Sequence, residues 1–180
     1  VPANPALEHA IRWANALELP VVVGFGLTAA YPGANARHYA FMLDGLAEVA
    51  AHLRNQGIAF VPRFGDPAEV ALGLAGDAAL VVCDRGYLRH QRAWRRRVAA
   101  EAACPVSEVE TEAIVPVATA SDRPETAART FRPRIRAHLD RFPEQAEAML
   151  PSRAASEVAP DGDFDPGAGR DLLRQLPVDH

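Results

Sequence analysis

Three short apolar runs, Val21–Phe25, Ile58–Phe64 and Ala79–Cys83, recur along the chain with helix-patterned stretches between them. That alternation constrains the fold more than any other feature. Strands joined through helices need crossover connections, and crossovers leave neighbouring strands parallel. Val21-Val22-Val23-Gly24-Phe25 shows no polar alternation, so it reads as a strand covered on both faces, as parallel sheets require. The pattern predicts an α/β fold, a parallel sheet with helices on both faces.

Local signals place the connecting helices. Asn4-Pro5 is a helix start, with Asn as cap and Pro at the first helical position. Leu7, Ile11, Ala14 and Leu17 repeat at helical spacing until Pro20. A turn-rich loop, Thr28 to Asn35, leads into a long amphipathic helix whose stripe is Met42, Leu46, Val49, Ala50 and Leu53, with Gly57 at its end. Asp66 and Glu69 form a capping pattern for a short helix. Arg89 to Ala103 reads as a further helix and Val106 to Val117 as an extended stretch.

From Ser121 the rhythm changes. Pro124 to Arg141 reads as an Arg-rich helix, and Pro143, Pro151, Pro160, Pro166 and Pro177 punctuate the remainder of the chain. Ser152 to Gly169 is rich in Pro, Gly and Asp and reads as a linker. Leu172, Leu173 and Leu176 predict a short terminal helix with nothing in the chain to pack against.

Composition excludes several classes. The chain has 180 residues, 49% of them hydrophobic, which suits one domain with a real core. Its apolar runs fall short of the roughly 20 residues a membrane helix needs. Two cysteines, Cys83 and Cys104, make neither a disulfide framework nor a metal cluster, and a cytoplasmic setting is expected. A net charge of −4 argues against coating nucleic acid by bulk charge. All 19 basic residues are Arg, so lysine chemistry is excluded.

The residues with chemical potential sit at strand ends. Asp84-Arg85-Gly86-Tyr87 follows a buried strand, where open α/β sheets hold their ligands; Gly86 would admit a close ligand and Asp84 or Arg85 would hold polar groups, or the segment is only a tight turn. Arg89, Arg92 and Arg96 share one helix face, as a phosphate contact or as solvated surface. Arg129, Arg132 and Arg136 pose the same choice. His38 has no evident catalytic partner, and Cys83 reads as a buried inert thiol.

Four blocks, in order, carry a resemblance. They are Asn4-Pro5-Ala6-Leu7-Glu8 with Ala14-Asn15; Arg37-His38-Tyr39-Ala40-Phe41-Met42-Leu43-Asp44-Gly45-Leu46; Asp84-Arg85-Gly86-Tyr87-Leu88-Arg89 with Gln91-Arg92 and Trp94-Arg95; and Val115-Pro116-Val117 with Ala127-Ala128-Arg129-Thr130 and Arg132-Pro133. Together they resemble the N-terminal antenna domain of class II cyclobutane pyrimidine dimer DNA photolyases, departing from it at Glu112, Thr126 and Arg134.

The resemblance implies a Rossmann-like domain over residues 1–142 and a linker over 143–180 leading toward a helical FAD-binding domain. It further implies a first strand ahead of the first helix, so the chain reads as cut at both ends, with a strand-wide gap in its sheet and a tendency to associate. The parent enzyme would split dimers in UV-damaged DNA by light-driven electron transfer from FAD, bound outside this chain. This piece would hold an antenna deazaflavin or FMN, walled by Phe25, Gly26, Leu27, Asp84, Arg85, Gly86 and Tyr87, and would not be catalytic alone; the implied DNA-contact residues are Arg89, Arg92 and Arg96. Two other readings stay open. One is a stand-alone nucleotide- or flavin-binding α/β module, against which stands the lack of a Gly-rich phosphate loop. The other is a non-enzymatic module contacting DNA through the same three arginines.

Overall fold

A computed structural model describes residues 4–142, 149–155 and 159–178. Helix α1 (Pro5–Leu17) opens with the Asn4 side chain accepting the Leu7 amide, and ends where Glu18 turns left-handed at φ 57°. Strand β1 (Val22–Leu27) follows, then α2 (Ala36–Asn55), β2 (Ala59–Phe64) and α3 (Pro67–Ala75). Next come β3 (Val81–Asp84), α4 (Arg89–Glu101) and β4 (Val106–Val109), then the short α5 (Val117–Ala120), α6 (Ala128–Arg136) and α7 (Gly169–Gln175).

The expected α/β class is borne out, with parallel pairing throughout the described strands. β1 pairs with β2 from Val22↔Ala59 to Leu27↔Phe64, and β3 pairs with β4 from Val81↔Val106 to Asp84↔Val109. The two pairs do not join. Both pairs line one open cleft that also runs along α1, α2 and α3, with Val22 and Gly24 among its residues from β1 and Val81 and Val82 from β3. Val22 is consequently 37% exposed, so the β1 run is not covered on both faces as expected.

Hydrogen bonding fixes which groups face the cleft. The Val21 carbonyl accepts from Ala59 and the Leu27 carbonyl from Gly65, so the odd residues of β1 bond to β2. Peptide groups alternate sides along a strand, so Val22, Gly24 and Gly26 turn theirs into the cleft. On β3 the Val81 amide donates to Pro105 and the Arg85 amide to Val109, which leaves Val82 and Asp84 turned the other way.

Two apolar clusters hold the layers. Ile11, Ala14, Val21, Leu53 and Ile58 join α1, β1 and the end of α2. Leu27, Tyr39, Leu43, Leu172 and Leu176 form the second. Burying each such Leu contributes about 1.5–3 kcal/mol relative to leaving it exposed. The second cluster corrects the sequence reading at the C-terminus. The terminal helix does have a partner, because Leu172 and Leu176 pack on the α2 face that carries Tyr39 and Leu43. The buried stripe of α2 therefore centres on Tyr39, Leu43 and Leu53, while Met42 and Val49 are only partly buried.

The stretch expected as a free linker is strapped down. Asn15 donates to the Leu150 carbonyl and accepts from the Ser152 amide; Ala155 donates to the Gly57 carbonyl, and the Asp163 carboxylate accepts from the Phe64 amide. Phe164 stacks on Phe64 with centroids 4.7 Å apart. Pro143 and His180 lie outside the described residues.

Two further expectations shrink. The stretch from Val106 is a strand only to Val109, because Glu110 turns back to accept the Val117 amide. The Arg-rich helix runs only from Ala128 to Arg136. Ser121, Arg123 and Glu125 bond among themselves before it, and Pro133 removes one backbone donor within it.

Candidate functional site

In an open parallel sheet, ligands bind beyond the carboxyl ends of the strands, where the strand order reverses. Here the carboxyl ends of β1 and β3 open at one end of the cleft, although the two strand pairs are not joined in one sheet. Thr28, Tyr31, Asp84, Gly86 and Thr111 line this mouth. Tyr39 donates its hydroxyl to the Thr28 carbonyl at 2.7 Å, fixing the first residue after β1. Thr111 donates to Asp84 at 2.7 Å, tying the β3 exit to the β4 exit.

The residues named from the β1 exit are mostly packing groups. Leu27 is 3% exposed in the second core cluster, and Phe25 packs beside it. A Cβ on Gly26 would sit 2.7 Å from the Pro67 Cα. Glycine there lets α3 lie close against β1, and it is the Gly26 backbone, not a side chain, that meets the cleft.

At the β3 exit the four named residues divide. Asp84 is exposed at the mouth. Arg85 lies 3.7 Å from Glu108, a carboxylate it shares with Arg95. Gly86 is buried, and its carbonyl accepts from Arg95 at 2.6 Å. In this structure the space beside Gly86 is taken by the Gln91 side chain, whose carboxamide also accepts the Leu88 amide at 3.0 Å and so closes the start of α4. Tyr87 is 40% exposed; partial burial and a hydrogen bond to Glu110 push its phenol up to about 12.

Two residues missed by sequence reasoning, Tyr31 and Trp94, complete the wall, with His90 packed between them. Tyr31 packs edge-on to His90 at 4.6 Å between centroids, and His90 packs likewise on Trp94 at 5.0 Å. The Trp94 indole donates to Asp66 at 2.6 Å. The available signal was a lone Trp on an Arg-rich helix, since a buried indole N–H needs an acceptor.

Arg89, Arg92 and Arg96 are exposed on α4 and form no ion pair among the described residues. Their neighbours are engaged: Arg95 pairs with Glu108, and Arg97 reaches Glu69 at 3.4 Å and Glu101 at 3.3 Å. Arg129, Arg132 and Arg136 line a shallow groove on α6. Cys83, expected to be buried, is only half-buried, and that burial raises its thiol pKa. Among the described residues no group of three or more His, Cys, Asp or Glu is placed to hold a metal, and no helix is long and apolar enough to cross a membrane.

The mouth therefore offers hydroxyls, a carboxylate, open peptide edges and an aromatic wall. That donor set could hydrogen-bond the edge of a flat heteroaromatic ring. It contains no nucleophile–base pair.

Comparison with known proteins agrees with this architecture. The family model described as DNA photolyase matches residues 1–152. A deoxyribodipyrimidine photo-lyase of Methanothermobacter thermautotrophicus is 44% identical over 164 residues, covering 91% of this chain and 36% of that protein. One from Potorous tridactylus is 36% identical over 143 residues, covering 77% of this chain and 27% of its own length. The crystal structure of an archaeal photolyase from Sulfolobus tokodaii with two FAD molecules superposes with a TM-score of 0.59 at 15% identity, over 93% of this chain and 38% of that one. This chain thus spans about a third of the relatives it matches.

Proposed function

Because the chain belongs to the DNA photolyase family, we propose that it is the antenna portion of a class II photolyase, a light-dependent enzyme that splits cyclobutane pyrimidine dimers in UV-damaged DNA. The mouth between β1 and β3 holds a light-harvesting deazaflavin or FMN. When bound, that group absorbs light and passes excitation to an FAD held by a helical domain outside this chain. The protein's own residues supply the setting. Thr28 and Asp84 would border the ring, the cleft-facing peptide groups of Gly26 and Val82 would offer hydrogen bonds to its edge, and Tyr31 would cover a face. Repair chemistry belongs to the FAD domain, and the compartment is cytoplasmic.

The observation that carries this reading is the open cleft at the strand exits of the separate parallel pairs β1–β2 and β3–β4 in a photolyase-family chain. Riboflavin, which carries the ring without a phosphate, tests it. Titration into the purified chain should give saturable quenching of flavin fluorescence, together with energy transfer from Trp94. Absence of saturation up to millimolar riboflavin and FMN would remove the antenna role. Dimer repair by this chain with added FAD and light would show that catalysis does not need the helical domain.

One observation favours a second role for α4. Arg89, Arg92 and Arg96 stay unpaired among the described residues while Arg95 and Arg97 are matched. In that role they touch the phosphates of the damaged duplex. Binding to duplex DNA should then fall steeply with salt, with a log–log slope of about −0.9 per phosphate contact, and a salt-independent signal would exclude it.

A further inference from the structure

We infer that Tyr39 is the positioning residue of the cleft mouth, and that α7 is the cover that holds it in place. The inference deepens the antenna reading and rests on it for the ligand. Tyr39 is only 3% exposed and lies under Leu172 and Leu176 of α7 and its end. Its hydroxyl reaches through the core to donate to the Thr28 carbonyl at 2.7 Å. A buried hydroxyl needs such an acceptor, and this one belongs to the residue where β1 becomes the wall of the site.

From Thr28 the constraint spreads along the loop. Thr28 Oγ1 accepts the Ala30 amide at 3.2 Å, and the Tyr31 carbonyl accepts the Ala34 amide at 3.1 Å. The Tyr31 ring then packs edge-on to His90 near the start of α4. A continuous set of contacts thus runs from Leu172 and Leu176, through Tyr39 and Thr28, to Tyr31. The loop has no strand or helix of its own between Leu27 and Ala36, so it takes its shape from these ties. Docking of residues 166–176 and binding at the mouth are consequently linked, each favouring the other.

The test is Tyr39→Phe, which keeps the ring and removes only the hydroxyl. Hydrogen exchange of the peptide spanning residues 28–35 should accelerate about fivefold, the loss of roughly one net hydrogen bond, while the melting temperature moves little. The dissociation constant for riboflavin should rise by a similar factor. Leu176→Ala, which leaves the hydroxyl but thins its cover, should accelerate the 28–35 peptide more than peptides of α1 and β2; this excess over the rest of the chain decides the matter if Tyr39→Phe disturbs the whole fold. Unchanged exchange over 28–35 in both variants overturns the inference. So does faster exchange with an unaltered riboflavin affinity. If the native chain binds no riboflavin, the antenna reading fails, and exchange alone decides the role of Tyr39.

Discussion

The Trp94 indole N–H donates to one oxygen of Asp66 at 2.6 Å, while the other oxygen accepts the Ala68 amide at the start of α3. This carboxylate is one tie between the two halves of the sheet, beside α1, which packs on both and pairs His9 with Ser107 of β4. α3 packs on β1, and α4 follows β3, yet no strand ladder connects β1 with β3. Arg97 reinforces the joint, lying 3.7 Å from Asp66.

Asp66→Ala should therefore do more than remove a helix cap. The cap contributes about 1 kcal/mol, and the charge-assisted bond to Trp94 about 1.5–3. Urea denaturation should show a loss of about 2–4 kcal/mol. A double-mutant cycle with Trp94→Phe should show coupling of at least about 0.5 kcal/mol, the range found for contacting residues. Additive losses would mean that the bond does not join the halves.

Leu172→Ala or Leu176→Ala should each destabilise by about 2–5 kcal/mol, the usual cost of emptying a buried leucine site. Both residues are nearly inaccessible, at 3% and 6% exposure. Thermal unfolding that matches the native chain would show that the C-terminal segment is the free linker its composition describes.

Open strand edges invite pairing with another chain. The cleft-facing edges of β1 and β3 should make the chain associate at micromolar concentration, with a light-scattering mass above that of one copy. Val22→Lys, at an exposed edge position, should reduce association. A monodisperse native monomer across that range would show that the cleft is closed to partners.

Acid should release the loop before α6. A hydrogen bond from Thr130, then those from Ser121 and the charge of Arg134, hold the Glu125 carboxyl below its usual range; Arg134 lies 3.0 Å away. A lowered folded-state pKa gives stability that is complete above about 4.3, the ordinary glutamate value, and is lost as pH falls through the folded value. Glu125→Gln should therefore be less stable than the native chain at neutral pH, and the difference should vanish in strong acid. A difference independent of pH would remove the carboxylate from this role.

The sequence by itself determined the local structure and the strand–helix alternation. Asn4 and Asp66 cap their helices through side-chain chemistry readable within three residues, and the β-rich runs at 21, 58 and 79 announce strands without reference to anything distant. The parallel class followed, because helical crossovers permit little else. Only tertiary structure decided the rest. Leu172 and Leu176 look partnerless along the chain, and their burial depends on Tyr39 and Leu43, about 130 residues earlier. Gly86 carries the same sequence signal whether a ligand or Gln91 fills the space beside it. Trp94 finds Asp66 across 28 positions, and no periodicity encodes that meeting. Capping and alternation are short-range and leave a mark in spacing. Burial, edge pairing and the assembly of a cleft are set by which surfaces meet in space.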